Sequence, residues 1–195
     1  MKHYFLIPIF LFGCLSSAAA TQTVEICGRD PAHTLIYRAK VPAAWSHIHP
    51  SPTESLTDTT KSICEFTLNE IRITVHNFPS DAIENRIPPS AQIARWKKQF
   101  TTIDTITSST IPQSFSGFVG LLFEGNGVLN SAKTIMMGWS MQIAPEHYRS
   151  LTNPQLRADF TIKAVGPTEL MAKERKTLIA FARSFELIEE IPANK

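Results

Sequence analysis

Apolar and polar residues alternate along most of this chain, and the alternation predicts its elements. Leu35, Tyr37, Ala39 and Val41 face one way and Arg38 and Lys40 the other, a half-buried strand over 34–41. Pro42-Ala43-Ala44-Trp45 ends it, and the Pro-, Ser- and Thr-rich stretch 46–61 reads as a loop. Residues 63–68 and 71–78 form a hairpin around Asn69-Glu70, with Ile71, Ile73 and Val75 on one face and Pro79 closing the second strand. Pro88-Pro89-Ser90 opens a helix to about Phe100, carrying Ile93, Trp96 and Phe100 at helical spacing. The Thr- and Ser-rich stretch 101–112 fits strand or loop equally well.

A further strand is expected over 114–124, with Phe115, Val119, Leu121 and Phe123 on one face, ending in a turn at Gly125-Asn126-Gly127. Ile135, Met137, Trp139, Met141 and Ile143 give the clearest alternation, over 133–143, and Pro145 ends it. A short helical piece follows around 146–151. Ala158, Phe160, Ile162 and Ala164 then alternate with Asp159, Thr161 and Lys163 up to Gly166-Pro167. Thr168 reads as the N-cap of a last helix reaching about Leu187, with Met171, Leu178, Phe181 and Phe185 as its apolar stripe. The expected order is βββα-βββα: an α+β domain over 34–187, with a mainly antiparallel sheet of five to six strands covered by two amphipathic helices. Residues 21–33 read as an N-terminal lead-in and 188–195 as a tail.

The N-terminus departs from this pattern. Lys2 precedes an apolar core, Tyr4–Leu15, and a small-residue run, Ser16-Ser17-Ala18-Ala19-Ala20. That is the layout of a secretory signal peptide over 1–20, cut between Ala20 and Thr21. The apolar core is short against the roughly 20 residues that span a bilayer. A second route competes: Leu11-Phe12-Gly13-Cys14 resembles the bacterial lipobox, in which Cys14 would carry lipid and anchor the protein. With no Asn-x-Ser/Thr acceptor in the chain, a bacterial periplasmic or envelope address is the preferred reading.

Charge and cysteines refine the picture. The 195 residues carry 19 basic and 17 acidic side chains, a net of +2, which argues against a nucleic-acid partner. Of the three cysteines, Cys14 leaves with the leader or carries lipid, so Cys27 and Cys64 remain as a pair. An oxidising compartment would favour a disulfide between them, contributing about 3–4 kcal/mol through loop closure, against two separate thiols as the alternative.

The order of strand, Val41-Pro42-x-x-Trp45, hairpin, helix, three strands and C-terminal helix resembles the PsbP/Mog1/DcrB-like α-β-α sandwich group. The resemblance spans about 34–187. It implies a small non-catalytic accessory or binding protein, of which several are exported or lipid-anchored, and it transfers no binding residue; Pro42 and Trp45 are expected to serve packing.

Candidate chemistry is sparse. His47-x-His49 puts two imidazoles on one side of an extended backbone, where they could share a metal with His33, His76, Glu54 or Asp58, or simply be solvated loop residues. Met136, Met137 and Met141 invite a soft metal but fit core packing. Gly138-Trp139-Ser140-Met141 is half of a nucleophile elbow, in mid-strand. Arg95, Lys97 and Lys98 with Lys173, Arg175 and Lys176 could form a basic patch or two solvated faces. The reading adopted is an exported, non-enzymatic envelope accessory or binding domain without a cofactor, whose partner is a protein, lipid or small ligand. Membrane contact would come only from the leader or a lipid on Cys14. The alternatives are a lipid-anchored structural or assembly component and a hydrolase with a dispersed site.

Overall fold

The computed structural model describes residues 20–28, 30, 32–48, 60–153 and 156–189. Residues 1–19 with Cys14, the loop carrying His49, Glu54 and Asp58, and the end of the tail lie outside the described residues.

The chain is α+β, and every strand pairing described is antiparallel. Its elements are β1 (Thr21–Cys27), β2 (Leu35–Pro42), β3 (Ser46–Ile48), β4 (Cys64–Leu68), β5 (Ile71–Pro79) and α1 (Pro89–Lys97), followed by β6 (Thr102–Ile103), β7 (Ser109–Phe115), β8 (Phe118–Leu129) and β9 (Ala132–Ile143), then α2 (Pro145–Ser150), β10 (Ala158–Pro167), α3 (Thr168–Arg183) and β11 (Glu186–Leu187). They build two sheets. One is eight-stranded, in the order β3-β4-β5-β10-β9-β8-β6 with β7 also on β8; the other is three-stranded, β1-β2-β11.

The sheet is thus larger than the five to six strands expected, and the short α2, which stands where a helical piece was expected around 146–151, makes a third helix beside the two expected to cover the sheet. The extra strands are short or lie at an edge, where alternation carries little signal. β7 shows no buried residue along its length, and β3, β6 and β11 span two or three residues each. The stretch expected as a lead-in carries β1, which pairs along β2 from Thr21 opposite Pro42 to Cys27 opposite Leu35. Asn69, at φ 52°, makes the β4–β5 turn as expected. Gly125-Asn126-Gly127 is not a turn: β8 runs through it, and the chain reverses at Asn130-Ser131, both in the left-handed region. A Cβ on Gly127 would lie 2.1 Å from the Thr102 carbonyl oxygen, so this glycine admits the neighbouring β6 backbone. Thr168 is the first residue of α3 rather than its cap; Pro167 precedes it, with no side-chain cap hydrogen bond.

Strand alternation divides the core in two. On one face of the large sheet, Ile73, Val75, Met137, Trp139, Phe160 and Ile162 meet β2 and the α3 stripe of Met171, Leu178 and Phe181. Rings interlock there: Phe118 and Phe160 lie 4.8 Å apart, and Tyr37 and Phe160 5.5 Å. The Tyr37 hydroxyl donates to Asn77 Oδ1 at 2.7 Å, satisfying two buried polar groups. Trp45 packs edge-on to Phe181 at 5.0 Å, which confirms packing as the role of the Pro42-x-x-Trp45 turn. On the other face a smaller core of Ile93, Trp96, Phe100, Phe123 and Met136 seats α1 over β8 and β9. The helices therefore lie on opposite faces, and their basic residues do not gather into one patch.

Candidate functional site

The face that carries α1 is covered only in part, and the site begins where the cover stops. Reading across the sheet from β4, one row of side chains runs Glu65, Thr74, Lys163 and Gly138. Gly138 is the boundary: a Cβ there would collide with Trp96 Cζ3, so the indole packs against the sheet where the residue has no side chain. The next position in the row is Lys163, beyond the helix.

There the sheet forms the floor of a cleft of about 730 Å³. Arg72 and Thr74 of β5 and Lys163 and Val165 of β10 supply the floor. Gln99, just past α1, and the β8–β9 turn, with Leu129, Asn130, Lys133 and Thr134, supply the walls, and Glu70 stands at the rim. The volume falls in the range of small-molecule sites, and the lining mixes apolar surface with a few polar groups, as such sites do.

Two cations of the floor differ in their surroundings. Arg72 is engaged: its Nε and Nη2 donate to Glu65 at 3.0 and 2.8 Å, and the Ser62 hydroxyl donates to the same carboxylate at 2.7 Å. Burial raises the Glu65 carboxyl, but the Ser62 hydroxyl and the Arg72 guanidinium together hold it below its usual value. Lys163 is half-buried, and no described hydrogen bond or ion pair engages its ammonium. Burial, then the Arg72 cation, pushes the Lys163 ammonium below its ordinary pKa, with Glu65 opposing. The arrangement is a desolvated cation beside the Thr74 hydroxyl, open to a cleft. Chemically it can bind and orient an anion.

A smaller hollow of about 200 Å³ adjoins Arg86 and Asp159. This pair is nearly sealed, with side-chain exposures of 5% and 10%. Arg86 Nε reaches both carboxylate oxygens at 3.0 and 3.1 Å, and its Nη2 donates to the Ile143 carbonyl at 2.7 Å. Gln142 Nε2 and the Ile143 amide also donate to Asp159. The cluster ties the segment before α1 to β9 and β10 and is structural.

The sequence candidates fall elsewhere. His47, on β3, stacks on Phe66 at 4.7 Å and 22°, a cross-strand pair; His49 lies outside the described residues. Among the described residues no three His, Cys, Asp or Glu side chains gather around a common point. Ser140 is buried in mid-strand. Cys27 and Cys64 are free thiols, so the expected disulfide is absent. Cys27 ends β1 in the small sheet and is half-buried, whereas Cys64 opens β4 in the large one, paired with Val75 and buried in the core. Burial, then the Glu65 charge, pushes the Cys64 thiol up well past its ordinary range. Ala20 and Thr21, the expected cleavage pair, lie at the start of the fold, where the Ala20 carbonyl accepts from the Ala43 amide at 2.8 Å.

Sequence reasoning missed Lys163, Arg72 and Thr74. The usable signal was a lysine on the polar side of a strand whose other side is wholly apolar. It becomes telling only once that strand is known to be central, where a charge has no open solvent on either flank.

An antiparallel sheet with α1 on one face, and α3 and a small sheet on the other, is the PsbP-like fold, as the sequence order suggested. The solution structure of cyanobacterial PsbP (CyanoP) from Synechocystis sp. PCC 6803 superposes with a TM-score of 0.52 at 12% identity, covering 91% of this chain and 98% of that one. The crystal structure of LpqN, involved in cell envelope biogenesis of Mycobacterium tuberculosis, superposes with a TM-score of 0.53 at 12% identity, covering 86% and 91%. At such identities the likeness is one of fold. No protein-family model matches the chain, and no curated protein does.

Proposed function

We propose that this chain is an exported protein of the bacterial envelope whose folded domain is a non-enzymatic accessory or binding module. The cleft over Lys163 is its ligand site. The observation that carries the binding role is the cleft itself, since an ammonium held half-buried beside an open concavity is costly to the fold unless something uses it. Two features support the address. The leader pattern ends at Ala20, and β1 begins at Thr21, so the first strand of the fold starts where the leader stops. LpqN, which shares the fold, is described as involved in cell envelope biogenesis.

Expression in a bacterial host, fractionation and intact-mass measurement test the address. A soluble periplasmic product beginning at Thr21 is the expected result. A membrane fraction beginning at an acylated Cys14 would make the module lipid-anchored, the form the Leu11-Phe12-Gly13-Cys14 run favours. A cytosolic product that retains Met1 overturns the proposal of export.

A further inference from the structure

We propose that the cleft beside α1 binds the phosphate group of a small phosphate ester, with the Lys163 ammonium as its charge partner. This deepens the binding role assigned above and rests on it. No described hydrogen bond or ion pair engages the Lys163 ammonium: Glu65, the carboxylate in its own row, acts on it only through space and is itself held by Nε and Nη2 of Arg72 and by Ser62. The free cation is therefore the lysine. Its compact, strongly hydrated point charge suits a phosphate, whereas the guanidinium fork that would suit a planar carboxylate is occupied. Gln99 supplies an amide; the Thr74 and Thr134 hydroxyls, which donate to the Lys163 and Ala132 carbonyls at 3.5 and 3.1 Å, can rotate toward a ligand; and Lys133 adds a second cation against Glu70, the one carboxylate among the described lining residues. A bare phosphate would fill little of 730 Å³. The remaining surface includes Leu129, Val165 and Pro167, an apolar shelf on which the organic part of an ester can rest.

The shared chemistry could come from a soluble metabolite or from a phospholipid headgroup, and two probes separate them. Glycerol 3-phosphate is titrated into the isotopically labelled protein and followed by amide shifts. In parallel, phosphatidylcholine vesicles doped with phosphatidic acid are tested by co-sedimentation against undoped vesicles. Saturable shifts at Thr74, Thr134 and Lys163 are expected. K163M, checked for native fluorescence, weakens binding about tenfold or more, the size of one charge-assisted hydrogen bond, while K163R retains part of it. Binding of doped vesicles assigns a lipid source; binding of glycerol 3-phosphate alone assigns a soluble one. Absence of saturable shifts with either probe, equal shifts from potassium chloride at matched ionic strength, or wild-type affinity in K163M overturns the proposal. Octyl glucoside serves as the neutral probe. If it moves these residues and the phosphate probes do not, the anion assignment falls and the binding role stands; if no probe moves them, both fall.

Discussion

Removing Arg86 leaves the Asp159 carboxylate buried without its cation, and the cost can be worked from the contacts. Arg86 donates to Asp159 through both Nε and Nη2, donates from Nη2 to the Ile143 carbonyl as well, and lies over the Tyr148 ring at 5.2 Å. In R86M the carboxylate keeps two donors, Gln142 Nε2 at 3.0 Å and the Ile143 amide at 3.3 Å. Breaking a buried pair from one side costs about 3–5 kcal/mol, and the two surviving donors place R86M near 3. D159L leaves the buried guanidinium with only the Ile143 carbonyl and the Tyr148 ring face, and belongs at the upper end of that range. Replacing both, as R86M/D159L, removes both charges and should return to within about 1–2 kcal/mol of wild type. Urea unfolding followed by tryptophan fluorescence is the assay, since Trp45, Trp96 and Trp139 are all buried. For a domain of this size R86M should lower Tm by about 6–12 °C. Two single variants each costing under about 1 kcal/mol, or a double variant as unstable as their sum, would refute the reasoning.

Two further outcomes follow from side chains in the two cores. G138A should cost about 1–3 kcal/mol, because its Cβ collides with the Trp96 ring, and the emission of Trp96 should shift to the red as α1 lifts; an unchanged spectrum and stability would count against the close approach. In native protein at neutral pH, alkylation should reach the half-buried Cys27 well before Cys64, which reacts only on unfolding. Burial raises both Cys64 and Tyr37 above their ordinary values of 9.0 and 10.0, so the unfolded chain releases these protons first. The stabilising contribution is complete below those values and is lost as pH rises past them. Lys163, held down by burial, opposes this trend, and K163M removes the opposition. Urea midpoints measured between about pH 8 and 11 should therefore fall, more steeply in K163M; a flat profile contradicts the assignment.

Where one face of a strand meets a core, the sequence was legible. The Ile135–Ile143 alternation and the Met171–Phe185 stripe are two sides of the same packed layer, and either alone implies a partner. It was less legible where neighbours rather than residues decide. Gly125-Asn126-Gly127 has the chemistry of a turn, yet Gly125 lies against the Phe123 and Phe100 rings and Gly127 against β6, so tertiary packing overrides local preference. The real reversal, Asn130-Ser131, is a weaker signal of the same kind. The cysteines suggested a pair because their count was even, while which sheet each joins is decided by pairings that the count does not carry. The cleft was invisible for that reason as well: its floor joins Arg72 and Lys163, which come together only because β5 pairs with β10, a strand that lies far along the chain from it.

That pairing governs the order in which the molecule can be completed. β3-β4-β5 and β9-β8-β6 share no hydrogen-bonded edge with each other; β10 is the keystone that both halves lean on, and it follows every strand of both in chain order. Until residue 167 has left the ribosome the two half-sheets have no common backbone ladder, and the apolar faces of Ile73 and Trp139 have no strand between them. Loop-closure entropy makes so distant a junction slow to form. Any machinery that takes hold of the chain before β10 emerges meets an open polypeptide, and closure belongs to whichever side of that machinery receives β10.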